Sequence, residues 1–492
     1  MSTSIHASWG HRICFFTIST WMIVSTYPVF SQSAQEVLEQ IFRPDDCWGA
    51  AIAEAKTGRV IFKHRADTPM MPASNMKVYV TTTAFKYLGT NFRYKTPVVG
   101  HGHLDNQGVW HGDLLVRGSG DPTFSGRFEA DDKKVTARLE RLAQRLSSSG
   151  IKRVTGNLYG FDDVFEENYW GRGWPDKAYL DWYTAPSGGL ILNDSCLDVG
   201  IYPSQPGAPP LIRKLPDTSA IVIQNKALTV KGKGQNTLSL NRPFDSDELK
   251  LTGRIYTGSG PSQVTVAVRN PTTFFISTFK EVLQGQGIQV DGQAIDADEA
   301  PNLPQRGWKV LAWSESPSLS DIARVINTRS QNLFADSLLK TLGYRRGRSG
   351  SWAGGEQVVR EYLGSLGIPT ESFHMEDGSG LSRLDRVTAG GTLQLLLKVQ
   401  NEGWFSTWKQ TLAVSGGMEG SLKKRLVTPL LAGRVFAKTG FIDDVFCISG
   451  YVLSRNEKTY AFSLLFNGQN HAGKHPHDRM EEALTFLAAE EP

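Results

Sequence analysis

Between residues 152 and 300 the chain reads as short runs of strand length, such as ALTVKG, ELKLTGRIYTG and SQVTVAVRN, with Pro and Gly clustered between them. Past residue 315 the pattern changes. SLSDIARVINTRSQNLFADSLLKTLGYRRG carries Ile322, Val325, Ile326, Leu333, Phe334 and Leu338 at helical spacing, with Ser318 or Ser320 placed to cap its start. The end brings RVFAKTGFIDDVFCISGYVLS and TYAFSLLFNG, apolar runs of strand length as in adjacent antiparallel strands, then a closing helix in HDRMEEALTFLAAE. A chain of 492 residues is too long for one ordinary core. A helical section with a terminal sheet, interrupted by a β-rich block, predicts a mixed α/β (α+β) fold in which one domain accepts a large insertion. The block shows no fixed period, so it is not a repeat array.

The N-terminal side supplies the other elements. WGAAIAEAKTGRVIFKH, 48 to 64, reads as a hairpin about AKTG. PASNMKVYVTTTAFKYLG reads as a helix, although VYVTTT is rich in β-formers. Alternating segments at 92 to 118 close on the loop GSGDPT. VTARLERLAQRLSSSG is amphipathic, with Leu139, Leu142, Ala143 and Leu146 on one face, and GGTLQLLLKVQNEG reads as a further helix.

The first residues have a separate purpose. Arg12 precedes the uncharged run ICFFTISTWMIVSTYPVF, and SQS follows before Ala34. That is the pattern of a signal peptide, with cleavage expected near Ser33 and export to the periplasm. No second apolar run of spanning length follows, so the mature chain is expected to have no transmembrane span. Net charge is +4 without a run of five or six like charges, which gives no support to nucleic-acid binding. Cys14 leaves with the signal; Cys47, Cys196 and Cys447 allow at most one bridge, and Cys447 reads as a buried thiol. There is no CxxC or HExxH, so neither a metal nor a cofactor is expected.

Three short motifs carry chemistry. Ser-x-x-Lys occurs six times and Lys-Thr-Gly twice, so neither is specific alone. On a helix, residues three apart share a face, which places the Ser74 hydroxyl within reach of the Lys77 amine. A serine hydroxyl needs a base to become a nucleophile. A lysine serves as that base when burial or a neighbouring cation, here Lys438, lowers its pKa. In the arrangement implied by the Ser-x-x-Lys, Ser-Asp-Asn and Lys-Thr-Gly motif set of penicillin-binding proteins and class A β-lactamases, Ser330 and Asn332, in Ser-Gln-Asn, sit where they can relay a proton to the leaving amine and hydrogen-bond the substrate amide. Lys438, Thr439 and Gly440 fit the edge strand of a sheet, against which an extended peptide pairs. Gly440 permits close approach, and Lys438 or Thr439 can hold a terminal carboxylate. Backbone N–H groups of Ser74 and Phe441 are the expected oxyanion donors. The first Lys-Thr-Gly, at 56 to 58, reads as a solvated hairpin turn, and the matches at Ser277 and Ser406 as packing.

The order Ser74, Ser330, Lys438 is that of penicillin-binding proteins and class A β-lactamases. With PASNMK, GSGDPT, YTAPSGGLILNDSCLDVGIYP, SQNLFADSLLKTLG, DGSGLSRLDRVTAGG, SGGMEGSLKKRL and AKTGFIDDVFCISGYV, the sequence resembles the D-alanyl-D-alanine carboxypeptidase and endopeptidase family, the class C low-molecular-mass penicillin-binding proteins (peptidase family S13). The resemblance runs from about residue 40 to the end. It implies a penicillin-binding/β-lactamase transpeptidase-like domain from residues 34–91 and 306–492, with residues 92–305 inserted as two subdomains. It implies an exported serine DD-peptidase acting on peptidoglycan stem peptides through an acyl-enzyme on Ser74, with β-lactams as covalent inhibitors. Two residues depart from the pattern. Gln331 stands where the family usually has Asp, and is expected to point away from the substrate. Phe441 stands where it usually has Thr or Ser, which removes a hydroxyl and brings a bulky ring expected to crowd the site. The rival readings are a β-lactamase or esterase on the same fold, and a silent cell-wall binding protein.

Overall fold

The computed structural model describes residues 29–42, 47–468 and 474–489. Most of the expected signal segment therefore lies outside the described residues. Among the described residues no helix is long and apolar enough to cross a membrane.

Both chain ends build one sheet. Its six strands run in the order Ala413–Val414, Val435–Ile442, Val445–Leu453, Thr459–Asn467, Trp48–Glu54, Val60–His64, every neighbouring pair antiparallel. The N-terminal hairpin is thus zipped onto a C-terminal strand, with Trp48 opposite Phe466 and Glu54 opposite Tyr460. Period-two alternation assigns the faces. Ala50 and Ile52 join Phe42, Phe62, Met480 and Leu484 under the helices Val29–Phe42 and Pro476–Ala488. Ala51 and Ala53 turn the other way, into the core shared by helices Met76–Leu88, Leu319–Arg329, Asn332–Arg345 and Ala389–Val399. The result is a sheet between two helical layers.

The long helical run past residue 315 is two helices. Ser318 caps the first in a capping box with Asp321, and Ser330, at φ 62°, ends it in the left-handed conformation before Asn332 starts the second. The second packs on Trp352–Ser365, a helix whose Gly354 and Gly355 hide it from a propensity reading. Those glycines let the helices touch: a Cβ on Gly355 would collide with the Leu339 carbonyl oxygen.

The inserted block has its own core. Lys95–Leu104 and Val109–Arg117 form an antiparallel pair in a seven-stranded sheet, and Lys309–Glu315 closes its edge against Lys95–Leu104. On that pairing we propose that the insertion runs to Glu315 rather than to 305. The block is less purely β than its sequence reads. Helix Pro271–Gly285 packs Phe274, Phe275, Phe279 and Leu283 into this core. Its aromatic and β-branched residues look like packing or strand; its start is marked by Pro271 and by Asn270, which accepts from the Thr273 N–H at 2.9 Å. Smaller sheets between Cys196 and Ala267 complete the block.

Gly355→Ala tests the close helix contact. Helix propensity favours Ala by about 1 kcal/mol, while forcing a methyl into a packed interface costs about 1–3 kcal/mol. The second term wins, because the obstacle is a backbone oxygen that no rotamer change can move. The expected result is a lower midpoint in thermal unfolding of the variant.

Candidate active site

Ser74 lies in a short 3-10 turn, Ala73–Asn75, that runs straight into helix Met76–Leu88. Ala73, at φ 45°, bends the chain there. Lys77, the second residue of the helix, is fully buried and turns back to the serine. Its Nζ donates to Ser74 Oγ at 2.8 Å, to Asn332 Oδ1 at 2.8 Å and to the Ser379 carbonyl oxygen at 2.5 Å. All three donor hydrogens of the ammonium are used. Burial brings the Lys77 pKa down to about 8, against the opposing charges of Asp336, Asp377 and Asp385.

The Ser-Gln-Asn loop stands beside it. Lys438 Nζ donates to Ser330 Oγ at 2.9 Å and to its neighbour's carbonyl, Thr439 O, at 2.7 Å. Burial pushes Lys438 well below the usual lysine range, and the charge on Lys77 pushes it further. Lys438 is thus the lysine whose downward shift includes the other's charge, while Lys77 owes its shift to burial. Thr439 Oγ1 donates to Ser421 Oγ at 2.7 Å. Lys438–Ile442 lies at an open edge, because Ala413–Val414 pairs only with Phe436 and Ala437. Gly440 meets the turn that carries Ser74 directly: a Cβ there would stand 2.8 Å from the Pro72 carbonyl oxygen and 3.1 Å from Ala73 Cβ.

Phe441 does not crowd this centre. Its ring is 61% exposed and rests on Phe446, with centroids 5.1 Å apart. The expectation failed on strand alternation: Gly440 faces the turn that carries Ser74, so its successor faces away. Gln331 does point out of the catalytic cluster. It is buried, and its Nε2 donates to Asp194 Oδ2 in the insertion at 2.6 Å.

The structure thus brings Ser74, Lys77, Ser330, Asn332 and Lys438 into one hydrogen-bonded cluster. Several of its supports were not singled out in the sequence. Asp377 accepts from Trp174 Nε1 at 2.7 Å, from the Gly380 N–H at 2.6 Å and from the Ser382 N–H at 2.8 Å. It thereby shapes the turn that offers the Ser379 carbonyl to Lys77. Gly380, at φ 79°, is pressed against the Ala73 carbonyl, where any side chain would collide. Asp336 accepts from Trp352 Nε1 at 3.0 Å and from the Gly378 N–H at 2.8 Å, and burial raises it to about 7. The signal available for these was the run Asp-Gly-Ser-Gly.

Away from this centre, carboxylate oxygens of Asp162, Glu167 and Asp296 lie within 4.8 Å of one another in the insertion. Burial raises Asp162 to about 6 and Glu167 to about 7, with help from neighbouring acids. Cys196 and Cys447 are buried thiols, not bridged.

Fold and cluster together define a serine-type peptidase. The chain belongs to the D-Ala-D-Ala carboxypeptidase 3 (S13) family, whose model matches residues 31–490. It is similar to a D-alanyl-D-alanine carboxypeptidase of Actinomadura, at 30% identity over 90% of this chain and 81% of the relative. It is similar to the D-alanyl-D-alanine carboxypeptidase DacB of Haemophilus influenzae, at 25% identity over 83% of each chain. Among solved structures, penicillin binding protein 4 of Haemophilus influenzae superposes with a TM-score of 0.77 at 23% identity, over 92% of this chain and 98% of that one. That protein complexed with a β-lactam superposes with a TM-score of 0.73.

Asp385 gives a test of the buried acids. It is fully buried, its Oδ2 has no hydrogen-bond partner among the described residues, and its pKa is raised well above the usual range, first by burial and then by Asp377. A carboxyl raised on folding binds more protons in the native state than in the unfolded one, so its contribution falls as pH rises above the unfolded pKa. Asp385→Asn removes that loss. In unfolding titrations the variant is expected to gain stability relative to the parent at about pH 8, and to lose that advantage at about pH 3, below the unfolded pKa.

Proposed function

We propose that the protein is an exported serine DD-peptidase of the periplasm, which cleaves D-Ala–D-Ala ends or D-amino acid cross-links of peptidoglycan stem peptides through an acyl-enzyme on Ser74. The observation that carries this reading is the 2.8 Å contact between Ser74 Oγ and a fully buried Lys77 amine brought down to about 8. An amine in that range is a base near neutral pH and remains an acid strong enough to return the proton.

In the first half-reaction Lys77 takes the Ser74 proton as Oγ attacks the carbonyl carbon. Backbone N–H groups of Ser74 and Phe441 stabilise the oxyanion. The C–N bond breaks as the tetrahedral intermediate collapses: Ser330, hydrogen-bonded to Lys438, gives its proton to the leaving amine and takes back the one Lys77 received from Ser74, which leaves Lys77 neutral. Water then attacks the acyl carbonyl carbon, Lys77 takes its proton, and the ester C–O bond breaks as Lys77 returns that proton to Ser74 Oγ. Asn332 fixes the Lys77 amine through its Oδ1. The open edge at Lys438–Ile442 pairs with the extended substrate, and Lys438, beside Ser330, faces its terminal carboxylate. β-lactams acylate the same serine in this reading, in keeping with the β-lactam complex of the Haemophilus relative. The exposed Phe441 ring removes the reason to expect a silent site.

The test is labelling of the purified mature protein by fluorescent penicillin. Stable labelling of the parent and none of Ser74→Ala is the expected result. No labelling of the folded parent overturns the proposal, and labelling that decays within minutes assigns a β-lactamase instead. The pH dependence is a separate expectation. The neutral amine is the base, so the acylation rate rises through about pH 8 and falls as Lys77 takes up a proton below it.

A further inference from the structure

The Ser330–Asn332 loop holds two residues of the cluster, yet neither helix beside it restrains it in full. Ser330 ends one helix at φ 62°, and Asn332 begins the next. Both additional anchors come from the insertion. Asn332 Nδ2 donates to the Tyr183 carbonyl oxygen at 2.9 Å. Gln331 Nε2 donates to Asp194 Oδ2 at 2.6 Å, and Arg127 Nε donates to the same oxygen at 2.6 Å.

Asp194 is held in an unusual way. Asn193, Asp194 and Ser195 are three successive non-glycine residues in the left-handed region, at φ 48°, 56° and 52°. L side chains adopt that conformation rarely and singly. The turn is fastened from several sides: the Asn193 N–H donates to the Phe124 carbonyl at 2.8 Å, Asn193 Nδ2 to the Cys196 carbonyl at 3.0 Å, and the Val268 N–H to the Ser195 carbonyl at 2.9 Å. Asp194 Oδ1 is buried without a hydrogen-bond partner among the described residues. The fold therefore accepts backbone strain and an unsatisfied oxygen while it aims the other carboxylate oxygen at both Gln331 and Arg127. Strain kept in this way marks functional positions. A merely packed Gln331 would require neither.

We infer that Asp194 is a positioning residue: through Gln331 it fixes the Ser330–Asn332 loop, so that Ser330 meets Lys438 and Asn332 meets Lys77. The inference rests on the proposed acylation of Ser74. Arg127 pairs with Asp194 itself, Asp194 and Asp198 both act by charge on Cys196 behind the turn, and Arg329, the residue before Ser330, is tied to Glu419.

The test follows acylation by fluorescent penicillin in Gln331→Glu, Gln331→Ala and the double variant Gln331→Glu with Asp194→Asn, from about pH 5 to about pH 9. Gln331→Glu would set two carboxylates within hydrogen-bond distance, where they share a proton only as pH falls. A loop displaced by about 1 Å costs roughly a hundredfold in rate. Gln331→Glu is expected to acylate about a hundredfold more slowly than the parent at about pH 8, with the deficit shrinking as pH is lowered. Gln331→Ala is expected to lose rate by a factor that does not change with pH. The double variant lets the amide at 194 donate to the carboxylate at 331, which also offers Arg127 an acceptor in place of Asp194 Oδ2, and it is expected to recover most of the rate with no pH-dependent deficit. A merely structural role would lower the unfolding midpoint without a pH-dependent rate ratio. Parental rates in both single variants overturn the inference, as does a double variant of parental unfolding midpoint that fails to recover. If the parent itself is not acylated, the proposed reaction fails and the inference with it; acylation of the parent with unaffected variants defeats the inference alone.

Discussion

Everything at the centre of this molecule serves one buried amine. Lys77 has no exposed surface, and its three hydrogen bonds end on Ser74, Asn332 and Ser379. Desolvating an unpaired ammonium would simply strip its proton. Placing a carboxylate in direct contact would fix the proton and leave no base. The structure takes a middle course. The direct acceptors are neutral, and the acids Asp336, Asp377 and Asp385 act on Lys77 by charge without appearing among its hydrogen-bond partners. The balance of burial against this outer ring is what brings the amine to about 8 rather than leaving it near 10.5.

That arrangement explains why the chain doubles back on itself. The distant acceptors of Lys77 come from residues 255 and 302 positions further along the chain. The sheet unites the two ends of the chain, and each distant acceptor is then braced by the insertion: Asn332 by the Tyr183 carbonyl, and the Ser379 turn by Trp174 through Asp377. The insertion is therefore part of the wall of the site, although it supplies none of the reacting groups named here. Gly380 and Gly440 play the complementary part. Each lets a backbone reach the turn that carries Ser74, which a methyl group would hold off.

The members of the hydrogen-bonded cluster were legible because they are local or follow a known order: Ser74 and Lys77 are three residues apart, and Ser330 to Asn332 is a contiguous run. Their supports were not legible. A buried Asp377 and a solvated turn aspartate look alike in Asp-Gly-Ser-Gly, since only the tertiary fold tells which N–H groups surround the carboxylate. Gln331 was expected to matter little because its amide leaves the substrate side; its partner, Asp194, lies 137 residues away in the chain. Helix Pro271–Gly285 was lost to composition, since its Thr, Ile and Phe residues favour strands. Phe441 was misread on size alone, where alternation along the strand, with Gly440 facing the turn that carries Ser74, fixes its direction.

The buried charges also constrain one another. Three lysines, Lys77, Lys340 and Lys438, and three acids, Asp336, Asp377 and Asp385, are each at most 1% exposed. Full ionisation of all six would balance in number but not in place. Asp385 has an oxygen without a partner among the described residues, and Lys438 is faced by another lysine rather than an acid. Asp336, by contrast, feels both Lys77 and Lys340 and accepts two N–H donors, while Asp377 accepts four hydrogen bonds. Burial thus moves Asp385 upward and Lys438 downward, each toward its neutral form, while the charge of Asp336 acts on both Lys77 and Lys340. In the proposed reaction, a substrate carboxylate arriving at the open strand edge would bring Lys438 the opposite charge that its neighbours do not provide.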